Sequence, residues 1–145
     1  MILDALATFS ASQASTTSVA ATDIIDTLAA GDAYVGAWFV TQVMSSVTQT
    51  GTASRMSFEL QTCSEPTWGA SDAATLVASA AFTTAQMTAG KFYAVRIPLN
   101  VKRYLRAYRR TSGTIGGSDV FTACVLSQFI VLDVNNIIGN KRYAL

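Results

Sequence analysis

The chain has 145 residues, half of them hydrophobic but only 13% charged, with a net charge of +1; an average soluble protein carries roughly twice that charged share. It contains no histidine, which excludes Ser/His/Asp and Cys/His nucleophile systems and any metal site built on imidazole. Its nine acidic residues are dispersed without a pairing motif, so carboxylate catalysis finds no pair of groups either, and the sequence reads as a non-enzymatic protein with no cofactor and no metal.

In chain order, residues 2 to 9 place Ile2, Leu3, Leu6 and Phe9 at the spacing of one short helical face. A β-rich run follows over Ser18 to Thr27, then a turn at Ala30-Gly31-Asp32. Tyr34 to Val43 is dense in aromatic and β-branched residues, as in a strand near the middle of a sheet, and gives way to the polar stretch Ser45 to Thr52. Arg55 to Thr62 alternates Met56, Phe58 and Leu60 with Ser57, Glu59 and Gln61. That period of two predicts a strand with one buried face and one wet face. Glu65-Pro66-Thr67-Trp68-Gly69 reads as a loop, and Thr75 to Phe82 as a further strand or a short helix, its alanines weakening the alternation.

Phe92 to Ile97 and Arg103 to Arg110 are strand candidates on either side of Pro98-Leu99-Asn100, and a long turn is signalled by Thr111-Ser112-Gly113 and Gly116-Gly117-Ser118. Val120 to Val134 is long for one strand, which predicts a bend or a crossing between sheets. The tail after Val134 carries Ile137, Ile138 and Leu145 without alternation. Seven or eight short strands separated by turn signals predict an all-β sandwich or barrel.

Charge is divided along the chain: residues 1 to 90 hold one basic against seven acidic side chains, residues 91 to 145 nine basic against two acidic. In a Greek-key or jelly-roll arrangement, early and late strands share sheets, and the two halves then meet as partners or present a polarised surface. Cys63 and Cys124 fall in strand runs and read as buried free thiols. The N-terminus lacks the basic region of a secretory signal, and no apolar run approaches the roughly 20 residues of a membrane span, so the expected protein is soluble and made in the cytoplasm.

The segment that stands out is Val101 to Arg110, where cations and aromatics interleave. As a strand it points Arg103, Leu105, Ala107 and Arg109 one way and Tyr104, Arg106, Tyr108 and Arg110 the other. Basic residues among aromatics are also a nucleic-acid pattern, but a net charge of +1 speaks against it, and pairing with the acidic first half needs fewer assumptions.

Together with Val101-Lys102-Arg103-Tyr104-Leu105-Arg106 of this segment, Met1-Ile2-Leu3-Asp4, Phe9-Ser10, Gln13-Ala14, Thr22-Asp23-Ile24-Ile25-Asp26, Leu60-Gln61-Thr62, Ile97-Pro98 and Ile130-Val131-Leu132-Asp133-Val134 resemble, in collinear order, the jelly-roll cement (decoration) proteins of short-tailed bacteriophage heads. The resemblance implies a jelly-roll type β-sandwich of about eight antiparallel strands with extended N- and C-terminal arms. Residues 1–14 would be a docking arm, 15–134 the jelly roll and 135–145 a tail. It further implies a homo-oligomer that binds the outside of the capsid; a two-fold dimer is favoured as the commonest symmetric form, and a trimer would serve equally well. There it bridges neighbouring major capsid proteins by strand addition and electrostatic contacts, without nucleic acid or membrane. The candidate partner-binding residues are Met1, Ile2, Leu3, Leu6, Phe9, Arg103, Arg106, Arg109 and Arg110. The rival readings are another head or tail structural protein, or a carbohydrate-binding adhesion module using Trp68 as its aromatic platform.

Overall fold

The structure, a computed structural model, describes residues 7–14, 16–28, 36–51, 54–68, 72–112 and 120–132. Runs rich in Thr, Val, Ile and aromatic residues suit a pleated, half-buried surface, and eight such runs become strands: β1 (Thr8–Ala14), β2 (Val19–Asp26), β3 (Trp38–Thr50), β4 (Arg55–Cys63), β5 (Ala74–Ala78), β6 (Phe92–Arg96), β7 (Tyr104–Ser112) and β8 (Val120–Val131). There is no α-helix among the described residues.

The strands form two four-stranded antiparallel sheets, ordered β1-β8-β3-β6 and β2-β7-β4-β5. Strand β1 pairs with β8, β2 with β7, β3 with β6 and β4 with β5, as though one long hairpin were wrapped round on itself. That is the jelly-roll wrap, and it closes two sheets over one core. Phe9, Phe39, Val43, Met56, Phe58, Leu60, Leu105 and Leu126 fill the space between the sheets. A smaller apolar cluster on the outer face of the first sheet gathers Val40 and Phe129 against half-buried Trp38, Phe92, Ala94 and Val131.

Several sequence expectations are corrected. Residues 8–14, assigned to a free docking arm, are strand β1 hydrogen-bonded to β8, and Phe9 is fully buried with its ring edge-on to Phe39 at 5.9 Å. Burying an aromatic ring outweighs the local helical spacing read over residues 2 to 9. The polar stretch after Val43 does not end β3, which runs on to Thr50 because its main chain stays paired with β8 through to Val120. The long last run neither stops nor changes sheet: shifts of register against β3 between Val43 and Gln49 bend the pair in place. Thr75 to Phe82 resolves into the short strand β5. The second face of β4 is not wet, since Glu59 and Gln61 are 5% and 9% exposed. The expected helical face at Ile2, Leu3 and Leu6, together with Met1 and the tail 135–145, lies outside the described residues.

The free edges are short or irregular. Strands β5 and β6 have five residues each, β1 carries two register shifts and a left-handed Ser12 (φ 56°), and β2 is interrupted between Ala20 and Ile24. Such edges discourage a further strand from pairing.

Candidate docking surface

Strand β7 lies between β2 and β4, so its alternation decides what the second sheet presents on each side. Leu105, Ala107 and Arg109 are buried, while Tyr104, Arg106 and Tyr108 are half-buried and Arg110 is exposed. The outward residues build a ladder with their neighbours. The Arg106 guanidinium lies 4.2 Å from the centre of the Trp68 ring and 5.5 Å from that of Tyr108, and Arg110 lies 5.6 Å from Tyr108 on the other side. Cations over aromatic faces are held by the ring quadrupole, so each rung fixes the next.

A hydrogen-bonded chain runs beneath the ladder across β7 and β4. Arg106 Nε donates to Gln61 Oε1 at 2.8 Å, Gln61 Nε2 donates to Glu59 Oε2 at 2.8 Å, and Glu59 accepts from Arg110 Nε at 2.6 Å and Nη2 at 3.2 Å. The long arginine stems and rings roof over Glu59 and Gln61, which is why a face that alternation marks as wet is dry. The Arg110 cation, then Gln61, hold the Glu59 carboxyl below the usual carboxylate range against the opposing effect of burial.

One end of the sandwich is built differently. Strand β2 ends there and β7 begins (Asp26 beside Tyr104), β3 begins and β6 ends (Trp38 beside Arg96), and the start of β1 lies against the end of β8 (Thr8 beside Phe129). The three most exposed large apolar side chains among the described residues sit at this end: Leu28 (81% exposed), Leu132 (80%) and Leu99 (59%). Leu28 is also in the left-handed backbone region (φ 68°), a costly conformation for a leucine. It is braced there by its own neighbour: Asp26 Oδ1 accepts from the Leu28 N–H at 2.8 Å while the same carboxylate takes two bonds of 2.9 Å from Arg103. The Arg103 bond holds the Asp26 carboxyl below its usual range. Asp72 accepts from the Ser64 N–H and the Cys63 thiol; the Ser64 side chain first, then the Cys63 thiol and the Ser64 N–H, hold its carboxyl well below the usual range, with a smaller contribution from Lys102 Nζ at 3.2 Å.

A model of the Bbp16 family matches residues 9–125, from β1 into β8. The chain belongs to the Bbp16 family. A search of curated proteins gave no match. Membership is consistent with a phage structural protein.

In this Bbp16 family member the four candidate arginines have three different situations. Arg103 is paired with Asp26 and Arg110 with Glu59. Arg109 is fully buried: it donates to Gln13 Oε1, and to the Gln13 and Ala20 carbonyls at 3.5 and 3.4 Å, tying β1 to β2 across the sandwich edge, with its Nε unpartnered. It is therefore not a surface contact, and burial pushes its pKa down. Arg106 faces outward, paired with no carboxylate among the described residues. Phe9 belongs to the core, while Met1, Ile2, Leu3 and Leu6 lie outside the described residues.

Trp68, the candidate sugar platform, has the Arg106 guanidinium stacked on its ring and its Nε1 buried, so it is not an open aromatic face. Sequence reasoning missed Leu28, Leu99 and Leu132. The signal for Leu99 was its place between Pro98 and Asn100 in a turn; Leu28 and Leu132 gave none, because each stands just past the end of a strand and its exposure depends on where that strand stops. Cys63 and Cys124 are buried free thiols, as expected.

Proposed function

We propose that the chain is a cement protein that docks on the outside of a tailed-phage capsid and bridges neighbouring major capsid proteins, its role being adhesion without turnover of a substrate. The observation that carries this reading is the end of the sandwich where Leu28, Leu99 and Leu132 stand exposed, one of them in a strained backbone braced by the Arg103–Asp26 pair. Exposing large apolar side chains is costly to an isolated subunit and is recovered on contact with a partner. Family membership, the jelly roll and the scarcity of charge support the same reading.

Short and bulged edges favour docking through side chains at the end and outer face over addition of a strand to the described sheets. Bridging requires at least two docking surfaces per particle of cement. A homo-oligomer supplies them by symmetry, a two-fold dimer being the commonest form, and each contact raises the effective concentration of the next. The protein is thus made in the host cytoplasm and resides on the outer surface of the virion, with the major capsid protein and itself as partners.

The experiment is co-sedimentation of the purified chain with heads of the phage that encodes it, prepared without it. The expected result is saturable decoration at a fixed ratio to the major capsid protein and heads more resistant to heat. Leu28→Ser/Leu99→Ser/Leu132→Ser should fold and lose decoration. Full decoration by that triple variant, or none by the wild-type chain, overturns the reading.

A further inference from the structure

Among the described residues, β7 and the turn before it carry four cations besides the buried Arg109, and three of them are already matched: Lys102 with Asp72, Arg103 with Asp26 and Arg110 with Glu59. Arg106 is the exception. Its Nε is satisfied by the Gln61 side-chain oxygen, and its plane is fixed by Trp68 at 4.2 Å and Tyr108 at 5.5 Å. Its two Nη groups have no hydrogen-bond or ion-pair partner among the described residues. Gln61 is in turn held by Glu59, so the guanidinium rests on a chain of buried side chains rather than on a mobile stem. Beside it, the indole Nε1–H of Trp68 is buried with no partner among the described residues.

We propose that Arg106 is a preformed receptor for a single carboxylate side chain of a partner protein, received on its two Nη groups. A guanidinium whose Nε is engaged still presents a parallel pair of N–H donors on its outer edge, which matches the two oxygens of a carboxylate. Stacking on an aromatic ring and bonding to a buried amide remove most of the rotamer freedom that ordinarily weakens surface ion pairs. The surroundings select one carboxylate over a polyanion: Asp23, Asp26, Glu59, Glu65 and Asp72 lie on the same sheet or its adjoining loop. A nucleic-acid backbone needs several uncompensated cations in a row. The receptor deepens the docking reading and depends on it for which protein supplies the carboxylate, but not for the chemistry.

Two arms of one experiment separate these. In the first, the isolated full chain is titrated with acetyl-glutamate amide while the Arg106 Nε–H and Trp68 Nε1–H resonances are followed by nitrogen–proton NMR. Acetyl-glutamine amide is the neutral control and inorganic phosphate the rival anion. The expected result is a saturable shift of both resonances, with a Kd on the order of 10 mM for so small a probe, absent with the glutamine analogue and lost in Arg106→Lys, whose ammonium keeps the charge but not the paired donors. Equal shifts with the glutamine analogue, persistence of the Trp68 shift in Arg106→Lys, or tighter binding of phosphate would each overturn the receptor.

In the second arm, head decoration is compared for the wild-type chain, Arg106→Lys and Arg106→Glu, each with its amide spectrum recorded to show that it is folded. Decoration is expected to weaken at least tenfold in Arg106→Lys and to vanish in Arg106→Glu. Undiminished decoration by folded Arg106→Glu overturns the receptor and leaves the cement reading standing. Failure of the wild-type chain to bind heads overturns the cement reading, and the titration alone then decides the receptor.

Discussion

Phe9 separates a strand that holds the fold from an arm that holds a partner. Its ring is fully buried and meets Phe39 edge-on at 5.9 Å. Phe9→Ala removes on the order of 150 Å² of buried apolar surface, which at about 25 cal/mol per Å² corresponds to roughly 4 kcal/mol. Measured phenylalanine-to-alanine losses in cores, about 3–5 kcal/mol, include the partly relaxed cavity and agree with that figure. Against a total stability of about 5–15 kcal/mol, this is a large fraction. For a domain of this size each kcal/mol moves the melting temperature by about 3–4 °C, so the variant should melt roughly 10–20 °C lower. Urea unfolding followed by tryptophan fluorescence measures the loss, with an unchanged dependence on denaturant showing that the folded and unfolded states are otherwise the same. A loss below about 1 kcal/mol would refute the placement of β1 in the core and restore residues 8–14 to a detachable arm.

Glu59→Gln breaks the charge-assisted bonds to Arg110 in a dry setting and should cost about 1–3 kcal/mol, read by the same urea titration, with little effect of the companion Arg110→Gln beyond that pair in a double-mutant cycle. The Asp26, Glu59 and Asp72 carboxyls all have folded pKa values below their unfolded values of 3.8, 4.5 and 3.8. The unfolded chain therefore takes up protons first, and the stability these groups confer is complete above about pH 5 and is lost as the pH falls through their folded values; a melting temperature that rises on acidification from pH 5 to 3 would contradict this. Arg109→Met should cost no more than about 2 kcal/mol, since a buried cation is replaced by an apolar chain of similar length, whereas Arg109→Glu sets a carboxylate against the Gln13 and Ala20 carbonyls and should prevent folding, as amide dispersion will report. Burial pushes the Cys124 thiol up to about 11, so at pH 8 it should resist a disulfide reagent in the native protein and react at once in denaturant.

The parts of the fold legible in the sequence are those in which one side chain's neighbours along the strand determine its burial. Met56, Phe58 and Leu60 alternate and are buried on one side of β4, and Leu105 and Ala107 do the same on β7. The two-faced character of Val101 to Arg110 was legible for the same reason, down to Arg109 sharing a face with Leu105. What alternation does not reveal is the environment of a face. Arg109 reads as a surface cation until β1 and β2 are seen to close over it, and Glu59 and Gln61 read as wet until Arg106, Arg110 and Trp68 are laid across them. The exposure of Leu28 and Leu132 was not legible either, because it depends on where the strand stops.

By itself the sequence determined that the chain builds short strands, that histidine chemistry is out of reach, and that acid and base are divided between its two halves. Only the tertiary structure decided which acid meets which base. The jelly-roll wrap sets late strand β7 between early strands β2 and β4, so Arg103 finds Asp26 and Arg110 finds Glu59 across separations of 77 and 51 residues. Arg106, on the same outward face, falls opposite the neutral Gln61. Cross-strand register is a property of strand order and not of local pattern, and it is register that set this guanidinium opposite an amide and not a carboxylate.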